Sequence, residues 1–222
     1  MYRINHCSDL SAPEANWDRE DWQAAETLAI TNYPWPDSGH RPRTEARLLY
    51  TDTAVALLFR VEDRYVRAVE TADQGAICHD SCVEFFVAPK PQSNNYFNIE
   101  VTCGGTMLFN YMLSREEQPP GWEPIIVSAE HLATIPRAHS LPQIVEPEIT
   151  DPLTWTLEYH IPFAVFQDYM DLPTPLAETV WRANFYKCAD STSHPHWGTW
   201  LPVDKPRPNF HVPADFGPIV FS

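Results

Sequence analysis

Between residues 82 and 113 apolar and polar positions alternate with period two, the pattern of half-buried β-strands. In the run Cys82–Ala88, Val83, Phe85 and Val87 share one face, while Cys82, Glu84 and Phe86 share the other. The polar stretch Lys90–Asn95 reads as a loop. A second run, Tyr96–Cys103, sets Phe97, Ile99 and Val101 against Tyr96, Asn98 and Glu100. Gly104-Gly105 is a turn signal, so Thr106–Leu113 is expected to pair back as the third strand of a meander. A hairpin symmetric about the 90–95 loop places Phe86 opposite Asn98 and Glu84 opposite Glu100. Like charges facing each other across a sheet are unfavourable. A cation, a basic side chain, a shared proton or a hydroxyl-rich ligand is therefore expected on that face.

The same pattern recurs along the chain. Thr44–Tyr50 and Ala54–Glu62 predict a hairpin across Thr51-Asp52-Thr53. In Thr154–Ile161 one face carries Trp155, Leu157, Tyr159 and Ile161. Pro162 stops that strand, and Phe163–Met170 has room for one or two helical turns. Val180–Cys188 sets Trp181, Ala183, Phe185 and Lys187 against Arg182, Asn184 and Tyr186, and Phe216–Phe221 closes a sheet. Weaker signals suggest an edge strand at Tyr2–Asn5 and a brief helix at Asp18–Ala25 capped by Asp18. Short strands at Ile125–Ser128 and Gln143–Glu148 fall within the irregular stretch 114–152. Trp17, Trp22 and Tyr33 are expected to pack against the sheet. Roughly ten short strands with little helix predict an all-β, antiparallel β-sandwich of the immunoglobulin-like or jelly-roll type, as one domain over residues 1–222.

Composition narrows the function. The chain has 222 residues, and its 22 Pro oppose long helices, while 8 Trp, 9 Tyr and 11 Phe suit a sandwich core. A formal net charge of -15 argues against a nucleic-acid partner, which needs a basic face. No run of about 18 apolar residues predicts a membrane span, and no basic-then-apolar leader is visible. Five Cys in no recognisable framework fit a reducing compartment, so a cytoplasmic location is favoured over a secreted one.

The sheet face carrying Glu84, Asn98 and Glu100, together with Arg182 and Asn184, offers acid, amide and guanidinium groups suited to sugar hydroxyls. A pyranose also presents an apolar patch of C–H groups, for which an aromatic ring is the natural wall. Trp197 and Trp200 in the loop ADSTSHPHWGTWLP, and Trp122 in the irregular stretch, are the candidates, and Arg182 is expected to relieve the Glu84–Glu100 repulsion. Other chemistries remain open. Glu84 and Glu100 have the makings of a retaining glycosidase pair. Asp63, Glu70 and Asp73 carry oxygen ligands for calcium. His79 with Cys78 and Cys82, or His194 with His196, are candidate zinc ligands, though their spacing matches no standard pattern.

In order along the chain, the segments NWDREDW, DSCVEFFV, YFNIEVTCGGT, WTLEYHIPF, WRANFYKC and NFHVPADFG resemble those of family 9-like carbohydrate-binding modules. The resemblance spans nearly the whole chain. It implies a DOMON-like β-sandwich that binds a saccharide without cleaving it, with no catalytic residue. It puts the acid of the DSxVE motif on Glu84 and the polar positions of the next strand on Asn98 and Glu100. Members of the family carry structural calcium, and a setting of polysaccharide utilisation is expected, with the chain acting alone or with a glycoside hydrolase working alongside. Ahead of the motif, where better-known modules carry an aromatic wall, this chain reads Ile77-Cys78-His79. A haem-binding DOMON domain is the rival of a different class, with Met107, Met112 or His211 as axial ligands.

Overall fold

A computed structural model describes residues 1–222. The strands are β1 (Tyr2–His6), β2 (Thr27–Ile30), β3 (Arg43–Tyr50), β4 (Ala54–Asp63), β5 (Val66–Ala68), β6 (Cys82–Ala88), β7 (Tyr96–Thr102) and β8 (Met107–Met112). They continue with β9 (Ile125–Ile126), β10 (Arg137–His139), β11 (Val145–Ile149), β12 (Leu153–Pro162), β13 (Val180–Cys188), β14 (Trp197–Thr199) and β15 (Gly217–Phe221). Strands hold 40% of the residues and helical turns 9%. The longest helical pieces, η1 (Glu20–Ala24), α1 (Ala129–Ala133) and α2 (Phe163–Gln167), have five residues each.

Thirteen strands form one curled sheet in the order β10-β12-β4-β3-β1-β15-β13-β6-β7-β8-β9, with β2 on β3 and β14 on β13. Its two halves face each other, so the sheet makes both layers of a sandwich. Phe59 of β4 lies 6.5 Å from Phe185 of β13, and Phe185 stacks on Phe85 of β6 at 5.0 Å. A cluster of 40 buried apolar residues fills the space between, drawn from the inward-facing positions that the alternation predicts. Trp155, Leu157, Tyr159 and Ile161 belong to it, as do Val83, Phe85, Val87, Phe97, Ile99 and Val101.

Two expectations change. The sheet is mixed, because β1 runs parallel to both β15 and β3. Tyr2–Asn5 is therefore not an edge but the seam between the halves; alternation alone does not tell an edge strand from a central one. At Asp18–Ala25 the chain makes only the 3₁₀ turn η1, whose first flanking residue is Arg19 with no side-chain cap. Trp22 is nonetheless fully buried, and Trp17 packs with it over Leu49, Ala56 and Leu58.

Each half also buries part of its outer face under irregular chain. On the second half, Trp35, Ile77, Val203, Phe210, Val212 and Phe216 cover Cys82, Phe86, Tyr96, Tyr186 and Cys188 of β6, β7 and β13. This roofed outer face holds Glu84 and Glu100.

Candidate functional site

The β6–β7 register pairs Glu84 with Glu100 and Phe86 with Asn98, as the symmetric hairpin requires. On the other side of β6, Tyr186 stands opposite Glu84 and Asn184 opposite Phe86. Both glutamates are buried, at 2% and 7% exposure. They line a pocket of about 200 Å³ together with Cys78, Phe86, Cys188, Asp190 and Trp197, closed on the far side by residues 208–211. That volume is below the roughly 300–1,000 Å³ of drug-sized sites. A neighbouring groove of about 550 Å³ shares Asn209 and His211 with it.

The pocket gathers acid and no strong base. Burial, then the charge of Glu100, pushes the Glu84 carboxyl well above the usual carboxylate range. Burial also pushes Glu100 up to about 7, partly offset by the Asn98 amide. Asp190 is raised by burial, although Trp197 Nε1 donates to its Oδ1 at 2.7 Å. His211, whose Nδ1 is 2.7 Å from the Tyr96 hydroxyl, is held below its ordinary value by burial, which favours the neutral ring. With no strongly basic side chain beside them, the raised proton affinity of the pair is what opposes the repulsion foreseen between Glu84 and Glu100. A carboxyl that holds its proton both donates and accepts hydrogen bonds.

Arg182 does not reach the glutamates. It shares their face of the sheet, but the β13–β6 register sets it opposite Ala88, four residues from Glu84 and about 13 Å along the strand. Its guanidinium donates to Pro213 O at 2.9 Å and Ser93 O at 3.0 Å, tying the roof to the β6–β7 loop. Asn184 is spent on structure: it donates to Leu201 O and accepts from the Phe185 and Leu201 amides. Asn98 is buried beside Phe86 with its Oδ1 unpartnered. Of the three tryptophans, only Trp197 lines the pocket. Trp200 packs edge-on against Tyr2 and Phe185 on the main core, and Trp122 lies in the 114–124 loop with its Nε1 buried and unpaired. Asp190, Asn209, Phe210 and His211 join the site from loops, where no periodicity marks them; the last three fall in the segment NFHVPADFG, which by itself assigned none of them to a saccharide site.

The carboxylates considered for calcium do not converge. Asp63 is buried against Lys187, His40 and Trp155, and Asp73 pairs with Arg137 at 2.9 Å. Glu70 folds back onto the backbone amides of residues 71, 72 and 76. These three residues do not fit a shared cation. Neither zinc combination considered from sequence assembles: His196 accepts from Lys187 Nζ, His194 stacks on Tyr65, and Cys82 faces Cys188 across the strands. Met107 lies in the core, whereas Met112 and His211 line the neighbouring groove.

A family model described as carbohydrate-binding family 9 matches residues 18–221. The chain belongs to that family. A candidate carbohydrate-binding protein from Bacteroides uniformis ATCC 8492 is 28% identical to this family 9 chain, with a TM-score of 0.85 over 99% of this chain and 98% of its own. A family 9 module from Caldicellulosiruptor kristjanssonii, solved with cellotriose, is 11% identical with a TM-score of 0.65, covering 99% and 92%. Its glucose complex is 13% identical with a TM-score of 0.64, covering 99% and 95%. At that identity the two show a common fold. No curated protein matches the family 9 chain.

Proposed function

We propose that this family 9 protein binds carbohydrate without cleaving it, and that residues 1–222 act as one binding unit. The observation that carries the reading is the pocket itself. Within a family of carbohydrate-binding proteins, it sets carboxyl groups and one indole around a cavity on the roofed sheet face. Trp197 supplies the wall for the apolar face of a sugar ring. Glu84, Glu100 and Asp190 serve the hydroxyls, with Asn209 and His211 at the rim. Glu84 and Glu100 stand side by side across two strands of one sheet face. Carboxyls directly opposite on neighbouring strands are ordinary sheet geometry, so the pair needs no catalytic role to account for it.

Calorimetric titration with glucose and cellotriose, followed by chromatography of the mixtures, tests the reading. We expect saturable binding with both saccharides recovered intact. Released products would identify a hydrolase, and a glycan array without any binder would remove the carbohydrate reading.

A further inference from the structure

Cys82 and Cys188 are cross-strand partners on β6 and β13, and Glu84 is two residues beyond Cys82 on the same face. Their side chains meet at the pocket floor. The two sulfurs are 3.1 Å apart, and Glu84 Oε1 lies 3.1 Å from Cys188 Sγ and 3.8 Å from Cys82 Sγ. All three residues are buried. With Zn–S near 2.3 Å and Zn–O near 2.0–2.2 Å, neighbouring donors in a tetrahedral site stand roughly 3.5–3.8 Å apart. The triangle reaches that size if its short edges open by about half an ångström.

Access and charge agree with this geometry. Glu84 and Cys188 line the pocket, which gives an ion a route from solvent, and Cys82 lies fully buried beside them. No lysine or arginine lines the pocket to compete for the donors. A divalent cation would supply the positive charge that the acids there lack. Two sulfur donors select against calcium and magnesium, which take oxygen cages, and favour zinc or a softer ion.

The geometry points to a site for a thiophilic divalent cation of the zinc class at the pocket floor, held by Cys82, Cys188 and Glu84 with one position open to the pocket. Binding is an exchange, not a redox step: the ion forms two metal–sulfur bonds and one metal–oxygen bond, and the two thiol protons, with any proton held on the Glu84 carboxyl, leave to solvent. The inference rests on the floor geometry; an ion held there takes Glu84 from the groups offered to sugar hydroxyls and leaves Glu100, Asp190 and Trp197 to the saccharide.

Cadmium is a suitable probe, because thiolate-to-cadmium charge transfer absorbs in the ultraviolet. Reduced, chelator-stripped full-length protein titrated with cadmium chloride is expected to develop a band that saturates at one ion per chain. At least two protons should be released for each ion bound, one from each thiol. Cys82→Ser and Cys188→Ser should each weaken the affinity at least about tenfold and diminish the band. Glu84→Gln retains both sulfurs and nearly the same shape, so it should keep the band and weaken the affinity. Cys7→Ser, outside the site, should change nothing. Circular dichroism checks that each variant is folded. The proposal is overturned if no saturable band appears, or if the band survives Cys82→Ser and Cys188→Ser unchanged. It is likewise overturned if freshly isolated protein, unfolded without reductant, shows two fewer thiols than its five cysteines provide; Cys82 and Cys188 would then be an oxidised pair.

Discussion

Strand β13 separates two buried polar clusters of opposite character. On its core side, Lys187 donates to the Cys188 carbonyl at 3.0 Å and to His196 Nε2 at 2.8 Å, and stands 3.6 Å from Asp63. Asp63 also accepts from Trp155 Nε1 at 3.1 Å and contacts His40 at 2.8 Å. Burial alone would raise the Asp63 carboxyl, but Lys187 and His40 outweigh it and hold the group well below the carboxylate range. Burial, then the Lys187 charge, lowers His196 to about 3, which keeps its ring neutral. On the outer side, Glu84, Glu100 and Asp190 share a pocket without a basic partner and are all raised. The first cluster is internally compensated and acts as a strut between the layers. The second is complete only with something from outside, a proton or a ligand. Buried acids with strongly raised proton affinity in a cleft are more common at binding sites than in struts.

The largest effect should come from breaking the compensated cluster. Lys187→Met leaves Asp63 buried without its main cation and should cost about 3–5 kcal/mol in urea unfolding at neutral pH. A loss below about 1 kcal/mol would mean that the network is not a strut.

The uncompensated cluster should show itself through pH. Folded Glu100 keeps its proton up to about 7, against an ordinary value of 4.5. Folding therefore takes up a proton between these values. The resulting stability is fully present below the lower value and is lost as pH rises through the upper one. The loss is on the order of 3 kcal/mol. Glu100→Gln should make that slope shallower, with Glu84 still contributing in the same direction, and make the variant more stable than the parent near pH 8. Asp63 acts with the opposite sign, losing its contribution only as pH falls below the range of an ordinary carboxyl, so it does not mask the effect. Equal slopes in parent and variant would remove Glu100 as the source.

The smallest effect separates the two tryptophans of the 189–202 loop. Trp197→Ala should weaken saccharide binding about tenfold, equivalent to roughly 1.4 kcal/mol, with stability little changed. Trp200→Ala should do the reverse, lowering the melting temperature while leaving affinity within about a factor of two. An exchange of these outcomes would move the sugar wall to Trp200.

How much was legible in the sequence follows the range of the interactions. The Glu84–Glu100 pair could be read because a hairpin register is local: one loop and a period of two determine it. The face of Arg182 was legible for the same reason, but its distance from Glu84 was not. The register of β13 on β6 joins segments almost a hundred residues apart, and no turn fixes it. Trp197 and Trp200 look equivalent in the sequence. β14 ends at Thr199, however, and the chain then turns Trp200 onto the core. Cys188 could be placed on the Glu84 face by alternation, yet its partnership with Cys82 again needed the long-range register.

The parallel strand β1 bears on how the molecule is made. It joins the half built on β3, β4 and β12 to the half built on β13, β6 and β7, through β15. Its partners in β15 are distant in the covalent order: Tyr2 meets Ile219 and Ile4 meets Phe221. Closing that joint carries the loop entropy of the chain between Tyr2 and Ile219, and contacts of such separation are associated with slow folding. On the ribosome, segments already emerged can form hairpins such as β6–β7, but the hydrogen-bonded path through β1 cannot close until β15 has been synthesised. Until then the inner faces of the nascent layers lack their final closure, and this interval is when the chain is most exposed to aggregation.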